Sequence, residues 1–177
     1  MNIASVPSEV RKVKFEQWMR EYETAVLRTC FLYLADRALA EDALQDTFVK
    51  VWRNMDRFEY RNECSIKSWI MRIAINTCKD YKLSAWFRNV DKSKPAEEVL
   101  VTLPGIEQES RELYLDVLRL PAKYKQVILL YCYQNMTMEE AAQTLGISRP
   151  ALSRRLKKAY ALLHYSPEGR GFDEEGY

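Results

Sequence analysis

"MTMEEAAQTLGISRPALSRRLKKAYALL", Met136 to Leu163, reads as two short helices that meet at Gly146. Thr137 followed by Glu140 is a capping box, in which the hydroxyl accepts a backbone N–H of the first turn while the carboxylate reaches back. Met138, Ala141, Ala142 and Leu145 then recur at helical spacing. Gly146 suits the left-handed residue that ends a helix, and Ile147 plugs the turn. Ser148 is a second N-cap, and Pro150 is tolerated in the following first turn because its missing N–H is no loss there. Leu152, Leu156, Ala159 and Leu163 make the buried stripe of the second helix, with Pro150, Ser153, Arg154, Lys157 and Lys158 on the other face. Five positive charges and no negative one lie between Arg149 and Lys158. A run of charge is usually only a solvated helix face. Here the cap, the glycine, the paired alanines and the one-signed face agree on a helix-turn-helix that grips DNA.

The rest of the chain bounds what else it does. Its 177 residues suffice for one domain or two small ones, and five glycines with six prolines favour helices over many turns. The net charge is only +2, so a nucleic-acid surface has to be local. No apolar segment has the length needed to span a membrane, and "MNIASVPSEVRKVKF" holds no apolar stretch of signal-peptide length. Cys30, Cys64, Cys78 and Cys132 share no metal-ligand spacing, and His164 is the single histidine. A metal site, a cofactor and a disulfide framework are therefore not expected, and reduced thiols in the cytoplasm are. No phosphate-cradling glycine loop or catalytic triad is present, and no pair of carboxylates stands out in an apolar setting, so no enzyme is expected.

The chain divides near its middle. Residues 1–14 form an N-terminal extension, and strong helical periodicity covers 15–87. In "FEQWMREYETAVLRTCFLYLA", Phe15, Trp18, Met19, Tyr22, Val26, Leu27 and Phe31 share a side. The next segment turns Ala43, Leu44, Phe48, Val51, Trp52 and Met55 inward, and Asp42, Gln45, Asp46, Lys50 and Arg53 outward. A third begins at a capping Ser65, with Ile66, Trp69, Ile70, Ile73, Ala74 and Tyr81 inward and Lys67, Arg72, Asn76 and Lys79 outward. Three such helices can bury one another. Residues 88–108, "RNVDKSKPAEEVLVTLPGIEQ", hold Pro95, Pro104, Gly105 and many charges, and read as a linker whose Val99–Leu103 run could dock on something. Helical periodicity resumes over 109–165, where Pro121 opens "AKYKQVILLYCYQN", and residues 166–177 are a frayed acidic tail.

The combination of "LAEDALQDTFVKVW", "MDRF", "SWIMRIAINTCKDY", a linker and the terminal helix-turn-helix, from Phe15 to Leu163, resembles a bacterial RNA polymerase sigma factor of the extracytoplasmic-function group. The resemblance implies an all-α fold of two small helical domains: a sigma-2 bundle of three to four helices and a helix-turn-helix sigma-4 domain, joined by a flexible linker. It implies that the first domain binds core polymerase and opens the −10 element, that the second reads the −35 element, and that an anti-sigma protein, often membrane-anchored, holds the factor inactive. The partners so implied are the β′ and β subunits of core RNA polymerase, promoter DNA and that anti-sigma factor.

Carried over residue by residue, the family's contact with the β′ coiled coil falls on Asp42, Gln45 and Asp46, with Lys50 and Arg53 beside them. The loop "EYRNECS" falls where the family holds a flipped base of the non-template strand, so Asn62, Glu63 and Cys64 would line the pocket and Tyr60 would stack on a base. Asn76 matches the family's strand-contacting asparagine, with Arg72 and Lys79 for phosphates. On the last helix, Ser148, Arg149, Ser153, Arg154, Lys157 and Lys158 fall at the −35 contacts, and Arg155, one position round, is placed to reach the backbone or to snorkel along the helix. "RPA" replaces the usual small residues before the first turn, and Ser153 stands where the family commonly has a basic residue, so base preference should differ from the group's usual one. Two other classes compete: a helix-turn-helix regulator with a separate N-terminal sensing or dimerising domain, and a two-domain adaptor that binds no DNA. The first needs a ligand pocket or a coiled-coil seam, and the second leaves the one-signed helix unexplained.

Overall fold

The computed structural model describes residues 8–58, 65–83 and 111–164, and all regular structure among them is helical. Three helices make the first bundle: α1 (Ser8–Leu34), α2 (Arg37–Asn54) and α3 (Ile66–Leu83). A 3₁₀ turn, Met55–Arg57, continues α2. The joint between α1 and α2 is tight. Ala35 takes the left-handed conformation (φ 58°), and Asp36 at once caps α2 by accepting the Leu39 N–H at 2.9 Å. Val26, Phe31, Val51, Met55, Ile70 and Ala74 fill the middle of the bundle. At one end Phe58 packs on Trp69 with ring centres 4.9 Å apart, and Trp18 meets both rings edge-on. That cluster and the Ser65 cap, whose hydroxyl accepts the Ser68 N–H at 3.1 Å, fix both flanks of segment 59–64.

α1 begins at Ser8, so residues 8–14 of the expected extension belong to the bundle. Arg11 fastens them. Its guanidinium lies 4.2 Å from the Trp52 ring centre, donates to the Trp52 carbonyl at 2.6 Å and pairs with Asp56 at 3.1 Å. Met19, expected inward, is exposed, because the buried line runs through Trp18, Tyr22 and Val26 and leaves position 19 at its rim.

The second bundle holds α4 (Arg111–Arg119), α5 (Ala122–Ile128), α6 (Met138–Leu145) and α7 (Arg149–Leu162). Pro121 opens α5 from the N-cap position, and α5 ends in a wider π turn, Leu129–Tyr133, closed by the Gln134 N–H on the Leu129 carbonyl at 3.0 Å.

The two bundles are docked. Thr29, Cys30, Phe31, Leu32, Tyr33 and Leu34 are all buried, and a helix end that is buried all round needs neighbours on every side. α2 and α3 cover one side and the second bundle covers the other. Gln126 Nε2 donates to the Tyr33 hydroxyl at 2.9 Å. Gln134 Nε2 donates to the Ala25 carbonyl at 3.2 Å and to Thr29 Oγ1 at 3.0 Å. α3 buries Ser68, Met71, Ile75, Thr77 and Cys78 beyond the single stripe its periodicity predicts, because α1 and α2 both close over it: Thr29 meets Met71, Cys30 meets Cys78, and Lys50 reaches Thr77.

Candidate functional site

The basic helix is built as its sequence predicts. The Thr137 N–H donates to Glu140 Oε2 at 2.9 Å and the Glu140 N–H to Thr137 Oγ1 at 3.2 Å, which completes the capping box of α6. Gly146 sits in the left-handed region (φ 66°, ψ 36°), and its N–H and that of Ile147 close the last turn on Gln143 and Ala142. A Cβ on Gly146 would meet nothing within 4 Å, so conformation rather than space demands glycine. Ser148 caps α7 through the Ala151 N–H at 3.4 Å. Leu152, Leu156, Ala159 and Tyr160 anchor the inner face. Arg154, Lys157 and Lys158 stand exposed on the outer one, with Ser153 and Arg155 half-buried at its edges. Arg149 is exposed but engaged: its Nε pairs with Glu139 Oε1 at 3.1 Å, across the turn. Periodicity within either helix does not reveal that clip, because the partners lie on different helices.

On α2, Asp42, Gln45 and Arg53 are exposed. Spacings of three and four put Asp42, Gln45 and Asp46 together on the helix surface. Asp46 also accepts the Tyr81 hydroxyl at 3.0 Å, and Lys50 donates to Thr77 Oγ1 at 3.0 Å and Asp80 Oδ2 at 3.1 Å. This flank therefore braces α2 on α3. Burial, and then the bond to Asp46, push the Tyr81 phenol well above its ordinary value and keep it a donor.

On α3, Asn76 is exposed, and Lys79 reaches its side-chain oxygen at 3.4 Å. Arg72 shares that face but donates to the Gln143 carbonyl of α6, and Lys67 donates to the Gln134 carbonyl. Tyr60, Asn62, Glu63 and Cys64 lie outside the described residues, as do the linker and the acidic tail. Among the described residues no three cysteine, histidine or acidic side chains are grouped to hold a metal, and no helix is long and apolar enough to cross a membrane.

Sequence patterning missed one buried charge. Lys125 is 3% exposed, and its ammonium donates to the Leu118 carbonyl at 2.7 Å, in the last turn of α4. Burial, helped by Lys82, pushes its pKa down to about 7. A lysine in a helix otherwise carrying Tyr124 and Val127 reads as surface, and its bond to a carbonyl of the preceding helix leaves no periodic signal.

The family model for Sigma-70 region 2 matches residues 18–88, and that for Sigma-70, region 4 matches residues 111–163. The chain is similar to the RNA polymerase sigma factor NccH of Alcaligenes xylosoxydans xylosoxydans, 27% identical over 84% of this chain and 84% of the relative. It is similar to the RNA polymerase sigma-E factor of Streptomyces avermitilis, 26% identical over 91% of this chain and 89% of the relative. Among solved structures, CnrH in complex with the cytosolic domain of CnrY shares the fold with a TM-score of 0.66, at 23% identity over 91% of this chain and 89% of that one. Both halves of the molecule match in order, and the chain belongs to the sigma-70 family, among its extracytoplasmic-function sigma factors.

Proposed function

We infer that the exposed basic face of α7 enters the major groove of the −35 element while α2 and α3 serve polymerase and the −10 strand. The chain is a sigma factor: it associates with core RNA polymerase and directs initiation at promoters. The observation that carries the division of labour is the α7 face, where Arg154, Lys157 and Lys158 stand on a helix whose inner side is fully committed to packing. A guanidinium fork can match two acceptors on guanine, whereas an ammonium suits a phosphate. Arg154 is the proposed base reader, and Lys157 and Lys158 are the proposed phosphate clamps. Arg149, held by Glu139, is aimed at its target before DNA arrives. The N-terminus of α7 points free N–H groups and the positive dipole end at a phosphate beside Ser148.

Asp42 and Gln45 are the proposed polymerase contacts, with Asp46 shared between that surface and Tyr81. Asn76 is the proposed contact to unpaired −10 strand, with Arg72 and Lys79 on its phosphates, and Tyr60, Asn62, Glu63 and Cys64 belong to the same proposed site. The protein acts by binding rather than by catalysis, in the cytoplasm, and an anti-sigma partner is proposed for it, as the sigma factor RpoE has in the anti-sigma factor NepR of Bartonella quintana. Run-off transcription with purified core enzyme on genomic promoters, with start sites mapped, tests the whole reading. Specific starts that depend on the protein support it, and their absence beside tight binding to duplex DNA alone would favour a conventional regulator.

A further inference from the structure

We propose that Glu139 is the positioning residue for a second base reader: it turns Arg149 end-on toward a guanine of the −35 element. Arg149 is the first residue of α7 and Glu139 the second of α6, and Arg149 Nε lies 3.1 Å from Glu139 Oε1. The two side chains are 58% and 65% exposed. An ion pair so open to water adds little to folding stability, so its effect lies in orientation. The capping box that holds the start of α6 is completed by Glu140, which leaves Glu139 no capping duty there. A cation in the first turn of a helix faces the positive end of the dipole, and the Glu139 carboxylate offsets that for Arg149.

The guanidinium decides what is left for DNA. It is planar and carries its N–H donors in a fixed fork. Glu139 engages the edge that bears Nε. The end-on edge, one N–H from each Nη, matches O6 and N7 of guanine. The first residues of a recognition helix are those that meet base edges, and the helix before it crosses the backbone. Glu139, in the first turn of that crossing helix, therefore sets a negative charge on the side of Arg149 where phosphates run. It keeps the guanidinium from turning to a phosphate, and it orders a long side chain before binding, which lowers the entropy lost on contact. Arg149 and Arg154 are five residues apart, about 7.5 Å along the helix axis, so they meet different base pairs. This proposal rests on the placement of α7 in the major groove of the −35 element.

The test uses the full chain assembled with core polymerase, transcribing a promoter library randomised across the −35 element. Arg149→Ala should remove a roughly tenfold preference for guanine at one position, distinct from those that Arg154→Ala changes. Glu139→Ala should erase most of the same preference, and Glu139→Gln, which keeps an acceptor oxygen, should erase less of it. An Arg149 released from Glu139 turns to a phosphate, so Glu139→Ala should also steepen the salt slope of promoter binding by about 0.9, and adding Arg149→Ala should cancel that change. A guanine preference that survives Glu139→Ala, or an equal loss in Glu139→Ala and Glu139→Gln, would overturn the positioning role. Arg149→Ala without effect on −35 choice, beside an Arg154→Ala that alters it, would overturn Arg149 as a reader and leave the groove placement standing. Unchanged −35 choice in both arginine variants would overturn the groove placement, and the proposal with it.

Discussion

Folding stability should rise with pH above neutrality, and Lys125 should be the cause. The folded chain holds this ammonium at about 7, against an ordinary lysine value of 10.5. Between those values the unfolded chain carries a proton that the folded chain has shed, so stability increases with pH there and levels off below about 7. Each pH unit in that window is worth up to about 1.4 kcal/mol. From pH 7 to 8.5 the expected gain is therefore up to about 2 kcal/mol. The upper limit is set by Cys30, whose thiol is pushed well above 9.0 by its contact with Cys78 and by burial. Above about pH 9 the unfolded thiol ionises first, and that effect has the opposite sign. Urea titrations followed by far-ultraviolet circular dichroism at pH 7.0, 7.5, 8.0 and 8.5 measure the slope. Lys125→Met keeps the length of the side chain, removes the charge and should flatten the profile. Its absolute stability is not the readout, because the Leu118 carbonyl loses its donor as well. Equal slopes for parent and variant would refute the assignment of the buried proton to Lys125.

Gly146→Ala should cost about 1 kcal/mol in thermal or urea unfolding: left-handed strain of ~1–2 kcal/mol is partly offset by the stiffer unfolded chain, and nothing clashes. Arg154→Ala should lose ~1–3 kcal/mol of −35 affinity and relax one or two base positions in a transcribed promoter library, whereas Lys158→Ala should weaken all promoters alike and lower the salt slope by ~1. Asp42→Lys with Gln45→Ala should abolish co-purification with core polymerase at unchanged helicity. Asp46→Lys should do so and also lower the melting temperature, because it breaks the bond to Tyr81. Asn76→Ala should reduce open-complex formation, read by permanganate, more than closed-complex binding, read by gel shift, because unpaired strand exists only after melting.

Local rules made the helix-turn-helix fully legible. Thr137, Glu140, Gly146 and Ser148 act within a few residues of themselves, and the structure uses each as its type predicts. The stripes of α1, α2 and α3 were legible for the same reason. What escaped is long-range. Periodicity finds one buried side of α3, but Met71 and Cys78 are buried by neighbours elsewhere in the sequence. It marks Lys50, Lys67 and Arg72 as outward, which holds for the isolated bundle. It does not show that Thr77 with Asp80, Gln134 and Gln143 meet them. Polar partners carry no period, so an outward charge and an outward charge already engaged look alike in sequence.

Arg11 bears on how far such factors are interchangeable parts. The region that defines the first half of the family begins at residue 18, yet Arg11 precedes it and closes over Trp52 and Asp56. A chimaera spliced at the family boundary would import α2 without its clasp. Trp52 would then gain solvent on one face, in the helix that presents Asp42 and Gln45 to polymerase. Exchange of this half between relatives should preserve function only when the splice is made upstream of Arg11, or when the incoming sequence brings its own cation to that place.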